Sequence, residues 1–115
     1  MEKEVLNKLG EVMIADDAVL TIAAIAATDI KGVLCLKGDI TRDNIHLADV
    51  RTLSDCVKIQ NGENGVICRV YLVLDGTVSI PVVTEKIQAK VKNAIEMMTG
   101  KTVFEVDVEI SGVRL

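Results

Sequence analysis

Alternation of apolar and polar residues is sharpest near the end of the chain. Phe104, Val106, Val108 and Ile110 alternate with Glu105, Asp107 and Glu109, which predicts a strand with one apolar and one acidic side. Just upstream the period changes. Ile80, Val83, Ile87, Val91, Ala94, Ile95 and Met98 recur at three- and four-residue spacing, the stripe of an amphipathic helix. Ser79 stands where a capping hydroxyl belongs, Pro81 lies in the first turn, and Gly100 supplies a terminator. Before this helix, Val57 and Ile59 alternate with Lys58 and Gln60, Asn61 to Gly65 reads as a turn, and Val66 to Leu74 is rich in β-branched residues. Together they predict a hairpin.

The first half is less regular. Residues 1–10 allow a short leading helix with Val5, Leu6 and Leu9 on one side, followed by a short strand at Val12 to Ile14. Asp16 or Asp17 then offers an N-cap to a helix carrying Val19, Ile22, Ala23 and Ala26, with Ile30 one turn later and Gly32 as terminator. Alanine and leucine on its other faces predict burial on more than one side. Val33 to Leu36 reads as a strand. Residues 37–55 form a long loop in which Ile45 to Leu53 has the makings of one or two helical turns.

These elements predict one α+β domain spanning residues 1–115, with a small, mostly antiparallel sheet and two main helices packed on one face. The reason is the acidic side of the last strand, since a sheet covered on both faces would have continuously apolar strands. The exposed face then carries Lys58, Gln60, Arg69, Tyr71, Glu105, Asp107 and Glu109. Ile67 and Val73 fall on the same side. Two explanations stand for this face: a solvated surface of cross-strand charge pairs, or a docking surface on which Tyr71 and Arg69 are residue types favoured at interfaces.

Composition narrows the choice of partner. Half of the 115 residues are hydrophobic, yet Tyr71 and Phe104 are the only aromatics, so the core is aliphatic. A net charge of −4 argues against nucleic acid, where phosphate neutralisation dominates affinity, and against direct adsorption to anionic lipid. The run from Ala18 to Ala27 is about half of what a membrane span needs, so no direct membrane insertion is expected. No signal peptide is visible, and a cytoplasmic location is expected. Cys35, Cys56 and Cys68 lack metal-ligand spacing and read as reduced packing thiols.

Catalytic chemistry finds little support. His46 is the only histidine and has no partner at a recognisable spacing, so it reads as a solvated or capping loop residue. Asp16 and Asp17 are explained by helix capping. Asp39, Asp43, Asn44 and Asp49 lack the alternation and closing glutamate of a calcium loop. Gly62 and Gly65 match a GXXG spacing, but between strands rather than between the helices of an RNA-binding KH module. No catalytic residue, cofactor or metal is expected.

The ordered features resemble a known family. TIAAIAATDIKGV, then VKI, a turn and VICRVYLVLDGTVSIP, then VTEKIQAKVKNAIEMMTGKTVFEVDVEISGV, are similar to the alkaline shock protein family of Gram-positive bacteria, also called envelope stress response proteins. The similarity runs from about Val12 to Val113. It implies a non-catalytic, abundant cytoplasmic protein that associates with itself or with a separate membrane-anchoring protein. Other branches imply a link to fatty-acid metabolism. Residues 37–55 lack the glycine-rich stretch of many members, and no long C-terminal extension follows Val113. The expected function is a protein-interaction module in envelope or fatty-acid homeostasis; the alternative is a small-molecule regulator that binds an acyl chain.

Overall fold

The computed structural model describes the backbone from residue 5 to residue 115 and side-chain environments from residue 17 onward. Residues 1–4 of the expected leading helix lie outside this range. From Val5 the chain forms one helix, α1 (Val5–Thr28), that runs straight through the expected strand at Val12 to Ile14. Asp16 and Asp17 therefore lie in mid-helix and not at an N-cap position. An apolar triplet gives a strand little reason to form without a neighbour, whereas a helix once nucleated gains a hydrogen bond with each added residue. At its end, the Thr28 hydroxyl donates to the Ala24 carbonyl at 2.9 Å. Ile30 is then half-buried outside the helix, and Gly32, at φ 105°, turns the chain into β1 (Val33–Leu36).

The 37–55 segment folds into short pieces. Gly38 and Asp39 both have positive φ, which lets the Leu36 amide donate to the Ile40 carbonyl at 2.7 Å. A 3₁₀ turn at Ile45–Leu47 and a short helix, α2 (Val50–Ser54), follow; Ile45 and Leu53 are their buried anchors. The helical turns expected between Ile45 and Leu53 are present. Asp49 caps α2 by accepting from the Thr52 amide at 2.8 Å, which holds its carboxyl below the usual carboxylate range.

The hairpin forms as expected, with β2 (Val57–Gly62) antiparallel to β3 (Gly65–Asp75). A helix, α3 (Ile80–Thr99), and β4 (Val103–Arg114) complete the chain. Pro81 lies in the first turn of α3 and Gly100, at φ 72°, ends it; Ser79 occupies the cap position but makes no side-chain capping bond. Val83, Ile87, Val91 and Ile95 are the buried stripe. Met98 was expected to extend it but lies 55% exposed, because the stripe runs off the end of the sheet there.

β3 is the centre of the sheet. Its Tyr71 donates to the Cys56 carbonyl at 2.8 Å and accepts from the Lys37 amide at 3.0 Å. Both partners thus lie on one side of β3, with β1 and β2 end to end along that edge. Two of the three strand pairings are antiparallel, β1 with β3 and β2 with β3. The third is parallel: β4 returns through α3 to lie along the other side of β3.

Layering follows from side-chain parity. Val66, Cys68, Val70, Leu72 and Leu74 point toward α1 and α3 and are buried. Ala23, Ala24 and Ala27, fully buried, let α1 approach this layer closely. The prediction of two main helices on one sheet face holds.

Candidate interaction face

The seven residues assigned to the exposed sheet face do share it. Strand register aligns Lys58, Arg69 and Asp107 in one row, and Gln60, Ile67 and Glu105 in the next; Tyr71 stands beside Glu109. Lys58, Gln60, Arg69, Glu105 and Glu109 are exposed, while Tyr71, Ile67 and Asp107 are half-buried. Local pattern was sufficient here, because alternation along each strand determines its side and the hairpin turn sets the register.

The face has internal order. Arg69 Nε donates to Asp107 Oδ2 at 2.9 Å across the β3–β4 pair. Lys37 Nζ lies 5.5 Å from the centre of the Tyr71 ring, a cation–π contact. Lys58 Nζ donates to the Ser54 carbonyl at 2.5 Å. Ile67 sits between Gln60 and Glu105 over a shallow depression of about 100 Å³ bounded by Lys58, Gln60, Ile67 and Arg69. Surface charge pairs of this sort contribute little to stability, about 0–1 kcal/mol each. They do fix the orientation of the groups a partner would meet.

Sequence parity missed the upper part of the face. Cys35 pairs with Val73 on the exposed side of the sheet, yet both are buried, at 2% and 8% exposure. Above this end of the sheet, Arg114 Nη2 donates to Asp39 Oδ1 at 2.9 Å. The same Asp39 oxygen lies 3.9 Å from Cys35 Sγ. The 37–55 segment and the end of β4 thus meet over that corner. Nothing local in the sequence links residues 75 positions apart.

Phe104 departs from the expected inward side of β4, and Ile110 keeps that side but is not covered. A bulge opposite Val66 and Ile67 puts Val103 inward at 1% exposure and leaves Phe104 54% exposed. Ile110 is 39% exposed because β4 is the edge strand and α3 does not reach across it there.

The remaining candidates for chemistry are dispersed. His46 is exposed in the 3₁₀ turn. All three cysteines are free and buried. Burial pushes the Cys68 thiol up to about 12, and burial likewise raises Cys35 and Cys56. Thiols held protonated are poor nucleophiles. Among the described residues no group of three His, Cys, Asp or Glu side chains could hold a metal. Asp29 is used structurally, joining Arg42 of the loop and Lys90 of α3. A depression of about 220 Å³ between α1 and β2 is bounded by Leu20, Ser54, Val57, Lys58 and Ile59.

The described residues form a layered α+β domain with one helical face and one charged, partly apolar sheet face. Residues 4–115 match the alkaline shock protein 23 family, described by a cell envelope-related function, and the chain belongs to that family. Relatives include the YqhY protein of Bacillus subtilis strain 168, 28% identical over 106 residues that make up 92% of this chain and 78% of that protein. The Spy1535 protein of Streptococcus pyogenes serotype M6 is 29% identical over 106 residues, 91% of this chain and 80% of its own. Among solved structures, a MamM CTD variant gives a TM-score of 0.48 at 13% identity, covering 83% of this chain and 92% of that one. Among the described residues no helix is long and apolar enough to cross a membrane.

Proposed function

We propose that this protein is a non-catalytic interaction module of the cell envelope, whose exposed sheet face docks another protein. The carrying observation is the arrangement of that face: Ile67, Arg69 and Tyr71 along its central strand, flanked by Lys58 and Gln60 on one side and by Glu105, Asp107 and Glu109 on the other. Large amphipathic and apolar residues ringed by oriented charges form the pattern of a recognition surface. The family's cell envelope-related function is in keeping with it. A cytoplasmic position beside the membrane, held by a membrane-anchored partner or by self-association, is part of this reading. The dispersed His46 and the protonated thiols support a role without turnover.

Binding of an acyl chain is the weaker alternative. The depression near Leu20 and Val57, about 220 Å³, falls short of the roughly 300–1,000 Å³ usual for ligand pockets.

The test is affinity capture from detergent-solubilised cells, comparing the native chain with Tyr71→Ala combined with Arg69→Glu. Both changes fall on half-buried or exposed positions, so the variant is expected to fold, which circular dichroism checks. Loss of a specific membrane-protein partner in the variant is the expected result. Equal recovery of that partner by both proteins would remove the sheet face from the interface.

A further inference from the structure

β4 is an edge strand of 12 residues, about twice the usual strand length. Its unpaired side can be worked out from the hydrogen bonds of β3. Tyr71 directs its amide and carbonyl toward β1 and β2, so the alternate residues Cys68, Val70 and Leu72 direct theirs toward β4. The Val66 amide, which donates to the Thr102 carbonyl at 2.8 Å, has the same parity. In a parallel pair, β3 residues of that parity bond to the β4 residues on either side of their register partners. Glu105, Asp107 and Glu109 therefore turn their backbone groups inward, while Val106, Val108 and Ile110 turn theirs outward. The structure confirms this at one point: the Val106 carbonyl accepts from Gln88 Nε2 of α3 at 3.1 Å instead of from β3. Beyond that contact, the outward groups of Val108 and Ile110 have no partner among the described residues.

Natural edge strands are blunted by proline, lysine, bulges or shortness. β4 has neither residue, and its two register shifts lie toward its ends, leaving Glu105 to Ile110 as a regular edge. Its side chains are also sorted. Ile110 and Val113 are partly exposed apolar groups at the edge, and Glu105 and Glu109 are exposed carboxylates without an ion pair among the described residues.

We propose that the outer edge of β4 accepts an additional strand from a partner protein, and that this strand alternates lysine or arginine with apolar residues. Main-chain bonds to Val108 and Ile110 would hold it; its basic residues would face Glu105 and Glu109, and its apolar residues would continue the helical side of the sheet. Over the stretch from Glu105 to Glu109 a second copy of β4 is the wrong occupant. An antiparallel β4–β4 pair centred on Val108 sets Asp107 against Glu109, and one centred on Asp107 sets Glu105 against Glu109. Like charges directly opposite are unfavourable, and a basic strand reverses the sign. The inference deepens the docking reading by naming how the partner attaches.

The probe is the peptide acetyl-Lys-Val-Lys-Val-Lys-Val-Lys-amide, with the glutamate-for-lysine peptide as control. Fluorescence anisotropy measures binding at low ionic strength, and backbone NMR measures amide exchange. The basic peptide is expected to bind and the acidic one not, with the Val108 and Ile110 amides becoming protected against exchange. Glu105→Gln with Glu109→Gln should weaken binding at least tenfold. Val108→Pro, which removes an outward donor that the fold does not use, should abolish it. The glutamine pair provides an independent readout if the proline variant does not fold. Absence of binding, equal affinity for the glutamine variant, or unchanged exchange at Val108 and Ile110 would overturn strand addition; so would a native chain that dimerises through β4 in sedimentation and solution NMR. If the peptide fails while Tyr71→Ala with Arg69→Glu still abolishes partner capture, strand addition is wrong and the docking face stands.

Discussion

Cys68 shows how one buried side chain links stability to pH. It is fully buried beneath the helices, and burial pushes its thiol up to about 12, whereas an unfolded cysteine ionises near 8.5. The folded-state value is raised, so the associated stability is complete below about pH 8.5 and is lost as pH climbs from there toward 12, where only the unfolded chain releases the proton. Each such thiol adds a slope of about 1.4 kcal/mol per pH unit in that window. Cys68→Val removes one. Urea unfolding between pH 7 and pH 10 should show a shallower alkaline decline in the variant; parallel curves would show that Cys68 contributes no linkage. The same scale explains what was legible at single positions. Parity placed Arg69, Tyr71 and Glu105 correctly because a strand residue has only two sides. Phe104 was misplaced because a one-residue bulge reverses parity, and the bulge is set by the approach of the 101–103 connection to Gly65. A Cβ on Gly65 would come within 2.6 Å of the Thr102 carbonyl oxygen, and no local pattern encodes that closeness.

At the scale of elements, α3 was read almost completely, since helical period, Pro81 and Gly100 all agreed. What the stripe did not reveal was where the sheet beneath it ends. Ile87 is fully buried, and truncation to alanine should cost about 2–5 kcal/mol in chemical denaturation. Met98 belongs to the same stripe in sequence but lies over the edge of the core. Met98→Ala should change stability by no more than about 0.5 kcal/mol. Comparable losses at the two sites would mean that the helix packs further along its length than described. α1 was harder to read. Its alanine-rich sequence is suited to helix throughout, but Asp16 and Asp17 imitate a cap and Val12 to Ile14 imitates a strand. The continuous helix satisfies more backbone groups than the interrupted alternative, and the core layer of Ala23, Ala24 and Ala27 fixes where it lies.

At the scale of the whole molecule, connectivity decides which surfaces are available. The parallel return of β4 through α3 was not legible, because period and parity give a strand its faces but not its neighbours. That return makes β4 an edge, brings Glu105 and Glu109 beside Ile67 and Tyr71, and sets Arg114 against Asp39. The helices bury one side of the sheet, so the opposite side and the β4 edge are adjoining surfaces on which a partner can act. The most direct test of that arrangement is site-specific photo-crosslinking in living cells. A photoreactive residue replaces Gln60, on the sheet face, or Lys92, on the outer side of α3. A partner docked on the sheet gives a discrete crosslinked protein from position 60 and none from position 92. Crosslinking from position 92 alone would contradict the account and move the working surface to the helices.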